Sequence, residues 1–110
     1  MGAVFVQDEE MVDYTPGSDV AAGAVVVQGD LVGVALRPIP ANTLGSVAVE
    51  GIFDFPKSTA GGSAITAGTT VYWNAGASQA TATSAGNKLI GKTVRAAADA
   101  DATVRVRMMQ

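Results

Sequence analysis

The chain of 110 residues contains no cysteine and no histidine. Without cysteine it forms no disulfide and offers no thiolate nucleophile. Without histidine it lacks a common zinc ligand and the general base of a Ser-His-Asp triad. Asp99 and Asp101 by themselves are too few oxygen ligands for a good calcium site. We therefore expect no metal site, no cofactor and no enzymatic activity.

Charged residues are scarce, at 15% of the chain, and seven Lys and Arg against ten Asp and Glu give a net charge of −3. Nucleic-acid-binding proteins usually carry clustered basic residues. Here the cations are spread over the second two-thirds of the chain, although residues 88–107 can form a local positive face. The longest nearly unbroken apolar stretch, residues 20–27, is too short to span a bilayer. We expect no direct contact with nucleic acid, no membrane span and no signal peptide.

Apolar residues make up 48% of the chain, and 13 glycines separate short apolar runs. This pattern predicts strands and tight turns. The clearest strand covers residues 46–55, where Val47, Val49, Phe53 and Phe55 share a face and Ile52 is the exception on the other. Residues 103–108 alternate in the same way, with the apolar positions at 104, 106 and 108. Further strands are predicted at residues 3–6, 11–14, 24–27, 31–36, 69–73, 80–83 and 89–95.

Residues 28–30 and 74–76 have the composition of tight hairpin turns. Residues 57–64 predict a flexible connection, and residues 95–102 predict either one or two helical turns or a loop. The helical signal is otherwise weak. The chain is therefore predicted to be a small all-β single domain with little helix, covering residues 1–110.

Residues 86–93 fit the P-loop pattern G-x-x-x-x-G-K-[ST] from Gly86 to Thr93. In a P-loop the glycine-rich backbone holds phosphates after a buried strand and before a helix. Here the preceding residues are Ala-Thr-Ser-Ala, a β-like run follows, and Leu89 and Ile90 occupy positions that should wrap a phosphate. We interpret the match as a coincidence, and nucleotide-dependent recombination remains only an alternative function.

Several motifs together resemble a family of small phage and prophage proteins described as capsid cement or head-decoration proteins. They are Phe-Val-Gln-Asp from Phe5 and Val6 onward, Asp-Tyr-Thr around Tyr14, Gly-Asp-Leu-Val-Gly-Val-Ala at residues 29–35, Val-Tyr-Trp ending at Trp73, and Asp-Ala-Thr-Val-Arg-Val at residues 101–106. The resemblance covers essentially the whole chain. A weaker similarity extends to the lambda-type head-decoration family, through Val-Gly-Val at residues 32–34 and Gly-Ile-Phe at residues 51–53.

The resemblance implies a structural protein, without catalysis, that binds the major capsid protein on the outside of the virion after folding in the cytoplasm of a bacterial host. The lambda-type similarity implies that the all-β domain is a β-barrel or β-clip-like fold and that the protein is a homotrimer. It also implies an N-terminal arm, here residues 1–14, although this segment has a strand pattern that can pair within its own domain. Candidate contacts with the capsid or another copy are Phe5, Val6, Tyr14, Trp73, Arg105 and Arg107. The aromatic and arginine residues can equally serve packing. A small β binding module with Trp73 as its platform is the other alternative.

Overall fold

The computed structural model describes residues 11–110 and contains nine strands and no helix within them. The strands are β1 (Met11–Tyr14), β2 (Val25–Gln28), β3 (Leu31–Ala35), β4 (Gly45–Ala48), β5 (Gly51–Pro56), β6 (Thr70–Asn74), β7 (Gln79–Thr81), β8 (Lys88–Thr93) and β9 (Thr103–Met108). The prediction of an all-β domain is confirmed. Most boundaries lie within one or two residues of the sequence prediction, and the helical alternative for residues 95–102 is wrong, because this segment is a loop.

The strands form two antiparallel sheets. The four-stranded sheet has the order β1-β4-β3-β2, and the five-stranded sheet has the order β5-β9-β8-β6-β7. Lys57, directly after β5, forms a parallel bridge with Ala80 of β7. This bridge brings the two edge strands of the larger sheet together at one end, so that the sheet partly closes into a barrel.

The single strand predicted over residues 46–55 is wrong, because the chain passes there from one sheet to the other. Gly51 has a φ of 123°, a conformation that residues with a Cβ rarely adopt. Strand β4 ends before it and β5 begins at it, in different sheets. The alternation is kept on both sides of the break: Val47 in β4 and Phe55 in β5 are buried, whereas Ile52 is 59% exposed.

The main hydrophobic core lies on the inner side of the five-stranded sheet and is closed by β3. Phe55 contacts the Trp73 ring edge-to-face, with 6.1 Å between centroids, a favourable geometry for aromatic pairs. A smaller core on the other face of the four-stranded sheet contains Ala35, Ile39 and Val47. The loops that cover it are joined by a bridge between Val20 and Ile39. Buried members of the main core are Val32, Val34, Phe55, Ile65, Val71, Trp73, Ala80, Ile90, Ala97, Val104, Val106 and Met108.

Gln110, which follows β9, connects the two sheets through its side-chain amide. Its Nε2 donates to the Val32 carbonyl and its Oε1 accepts from the Val32 N–H, both at 2.7 Å. Strand β4 pairs with β3 only at Val34 and Ala35. The side-chain amide therefore satisfies the backbone N–H and carbonyl of Val32, at a position of β3 that β4 does not reach.

Lys57 fixes the segment that the sequence predicts to be a flexible connection. The side chain is 4% exposed, and Nζ lies 2.6 Å from the Ser58 carbonyl and 3.3 Å from Ser63 Oγ. Three carbonyls of the loop after β8 complete the shell: those of Ala98 at 2.9 Å, Asp99 at 3.1 Å and Asp101 at 3.0 Å. The buried ammonium thus joins two loops that are about 40 residues apart in sequence.

Candidate interaction surface

Two of the predicted contact residues, Phe5 and Val6, lie outside the described residues, as does the strand predicted at residues 3–6. The end of the predicted arm lies within the domain. Residues 11–14 form β1, which pairs antiparallel with β4 from Met11 opposite Ala48 to Tyr14 opposite Gly45. This segment therefore extends the four-stranded sheet of its own chain.

The two predicted aromatic contacts pack inward to different degrees. Trp73 is only 6% exposed and belongs to the main core. Its ring is therefore not presented to solvent as a flat platform for a sugar or peptide. Tyr14 is half-buried and packs against the smaller core. Both positions fit the packing interpretation that the sequence leaves open.

Arg105 and Arg107 point outward from β9, since they alternate with the buried Val104, Val106 and Met108. The Arg105 guanidinium donates to both carboxylate oxygens of Asp54, from Nε at 2.9 Å and from Nη2 at 3.1 Å. This bidentate pair spans β5 and β9, where the two residues lie directly opposite each other. Paired in this way, Arg105 is held in one geometry on the sheet surface.

Arg107 occupies the next outward position of β9 and lies between two other strands. Its neighbour on β5 is Ile52 and its neighbour on β8 is Lys92. Within residues 11–110 the ion pairs are those of Arg105 with Asp54 and of Lys88 with Asp30, so neither Arg107 nor Lys92 forms one there. Two cations thus lie side by side at a cross-strand pair, where like charges repel.

Arg95 is exposed in the loop after β8 and adjoins this surface, because the N–H of the preceding Val94 donates to the Arg105 carbonyl at 3.0 Å. We call the outer side of the five-stranded sheet formed by Ile52, Asp54, Lys92, Arg95, Arg105 and Arg107 the basic face. The two arginines of β9 and a local positive segment were predicted from the sequence, whereas Ile52 and the pairing of Lys92 with Arg107 were not. The alternation in each strand was readable from the sequence, whereas the order of β5, β9 and β8 was not.

Replacing Asp54 by asparagine is expected to destabilise the protein at pH 7 but not in acid. Hydrogen bonds from Arg105 lower the pKa of the Asp54 carboxyl below its usual value of 3.8. Burial opposes this shift, and the charges of Arg105 and Arg95 add to it. Because the folded pKa is the lower one, the stabilisation is present above pH 3.8 and is lost as the pH falls through the folded pKa.

Thermal unfolding midpoints across this pH range test the Asp54 prediction. The curves of wild type and Asp54→Asn should separate near neutrality and converge in acid. Arg105→Gln is the matched variant, because it removes the other half of the same pair. A double variant whose unfolding midpoint is clearly lower than that of either single variant contradicts the prediction. An Asp54→Asn curve that runs parallel to wild type at every pH also contradicts it.

The segment that fits the P-loop pattern is an ordinary strand and its approach turn. Gly86 lies in the turn with a φ of 73°, and β8 pairs with β6 on one side and β9 on the other. Thr93 is buried, and its hydroxyl donates to the Thr66 carbonyl at 2.7 Å. A backbone engaged in two ladders and a threonine occupied in this way do not form a phosphate cradle. The interpretation of the motif as a coincidence agrees with this geometry.

Across residues 11–110 there is no group of three or more acidic side chains arranged to hold a metal ion. The same part of the chain contains no helix long and apolar enough to cross a membrane. Every buried side-chain nitrogen or oxygen in the described residues has a hydrogen-bond partner. The polar groups of the interior are thus used in holding the fold together.

The fold and the basic face define a small all-β protein with an exposed, charged sheet surface. Comparison with family models gives a match to the phage cement protein family over residues 6–108, and the chain belongs to that family. The protein is thus a structural component of a phage capsid, as the sequence motifs imply. No curated protein and no solved structure gave a match.

Proposed function

We propose that the protein binds the outside of the phage head, contacts the major capsid protein and stabilises the assembled shell as a homotrimer. The observation that carries the proposal is the match to the cement family over nearly the whole chain, residues 6–108. A cement protein needs no reacting groups. It needs a rigid body and surfaces that bridge neighbouring shell subunits.

The structure supports the first of these requirements. The main core between the five-stranded sheet and β3, a buried lysine joining two loops and a glutamine joining the two sheets make the domain a stiff unit. A stiff body loses little conformational entropy on docking, so more of its contact energy is available to hold the shell. Many copies on one shell then add modest individual affinities.

The exposed apolar side chains support the second requirement. Leu36 is 53% exposed and Leu44 is 67% exposed, both in the loop between β3 and β4. This loop lies on the four-stranded sheet, whereas the basic face lies on the five-stranded sheet. Two distinct surfaces suit a protein that contacts its own copies through one and the shell through the other.

Co-sedimentation with expanded heads that lack the protein tests the proposal. Saturable pelleting at a fixed ratio to the shell subunit is expected, and saturated heads should withstand a higher temperature before they release DNA. Light scattering coupled to size exclusion measures the trimer separately. Intact, expanded heads that leave the protein in the supernatant contradict shell binding, and a monomer both free and on the head contradicts the trimer.

A further inference from the structure

We propose that the basic face docks onto a carboxylate-rich surface of the shell subunit. The inference rests on the proposed function, because the partner is the shell. It adds the surface of this chain that makes the contact and the chemistry of the surface that receives it.

The cations of the chain are concentrated on the basic face. The chain carries a net charge of −3 and only seven cations. Lys57 is buried among carbonyl oxygens, and Lys88 forms an ion pair with Asp30 at 2.6 Å. Four of the other five cations lie on the basic face, and Asp54 is the one carboxylate among its six residues. An acidic protein that collects its outward positive charge on a single sheet face is electrostatically complementary to an acidic partner.

Lys92 and Arg107 bring two like charges together on the basic face. The two cations lie directly opposite each other on β8 and β9, an arrangement that destabilises a sheet. A carboxylate placed between them converts this repulsion into two attractive contacts. The repulsion between Lys92 and Arg107 thus destabilises the free protein, and an acidic partner relieves it on docking.

Ile52 favours a protein surface over a polyanion as the partner. It is 59% exposed and is the β5 neighbour of Arg107, so an apolar side chain lies in the same row as the two cations. Protein interfaces combine apolar centres with charged groups in this way. Nucleic acid is bound by neutralising many phosphates, and only three cations of the face are without an ion pair to Asp54.

The test is head co-sedimentation with a double charge-reversal variant, Lys92→Glu with Arg107→Glu. Apparent affinity for expanded heads is expected to fall by about tenfold or more, because attraction at two contacts becomes repulsion. Wild-type binding should also weaken as salt is raised. The matched control, Arg37→Glu with Lys88→Glu, changes the net charge by the same amount away from the basic face and should bind like wild type. Thermal unfolding confirms that both variants are folded.

The outcomes separate the inference from the function on which it rests. If wild type pellets and the basic-face variant pellets equally well, the inference is wrong and the cement proposal stands. If wild type does not pellet, both are wrong. A charge-reversal variant that loses its trimer identifies the face as a contact between copies, and wild type retained on duplex DNA at the salt of the assay identifies a nucleic-acid surface. Either result overturns the inference.

Discussion

Replacing Lys57 by methionine is expected to lower the free energy of unfolding by about 3 kcal/mol. Methionine keeps the length and apolar stem of lysine but removes the ammonium group. Four backbone carbonyls and the Ser63 hydroxyl, all within 3.3 Å of Nζ, then lose a charged donor. Hydrogen bonds to a charged group contribute more than neutral ones, and their loss at a 4% exposed position is not repaired by water.

Chemical denaturation monitored by Trp73 fluorescence measures this effect, and thermal unfolding should show a midpoint lower by roughly 10–15 °C. Lys88→Met is the matched control, because it removes a lysine whose ion pair with Asp30 is on the surface. The control should unfold like wild type. Equal stability of Lys57→Met and wild type would show that the loops hold together without the ammonium.

The role of Lys57 was not predictable from the sequence, and the reason is physical. Lysine is rarely buried, so a lysine after Pro56 predicts a solvated strand end followed by a loop. Its long-range partners are main-chain carbonyls of residues 98–101, which any sequence supplies. Only the tertiary fold brings them to Nζ. The same limit applies to the passage between sheets at Gly51, because the apolar positions of Val47 and Val49 before the break continue with the same spacing at Phe53 and Phe55 after it.

Local features were predictable because they depend on neighbouring residues only. The alternation of Val104, Val106 and Met108 with Arg105 and Arg107 gave the buried and exposed faces of β9 correctly. The two-residue turn between β2 and β3 was predictable from Gly29, which has a φ of 61°. The basic face depends in addition on which strands are neighbours. Strand order is set by long-range packing, so the sequence identified its members on β9 but not their partners on β5 and β8.

Replacing Gly91 by alanine is expected to destabilise the protein by about 3 kcal/mol or more, because the added methyl group meets backbone and not a movable side chain. A Cβ at this position overlaps the carbonyl oxygen of Arg107 and lies 3.0 Å from the Met109 nitrogen. Gly91 lies opposite Met108, which on its other side lies opposite Gly51. The methyl group therefore forces β8 and β9 apart at the centre of the five-stranded sheet.

Urea unfolding of Gly91→Ala and Gly61→Ala measures this effect against a matched control. Gly61 has open space around its Cβ position and no positive φ, so alanine there should leave stability unchanged or raise it slightly by restricting the unfolded chain. Equal effects of the two substitutions would contradict the close approach of β8 to β9. The displaced carbonyl belongs to Arg107, so Gly91→Ala should also disturb the basic face. If the folded fraction of Gly91→Ala binds heads more weakly than wild type, the close packing of Gly91 against β9 is needed to keep the basic face in its docking geometry.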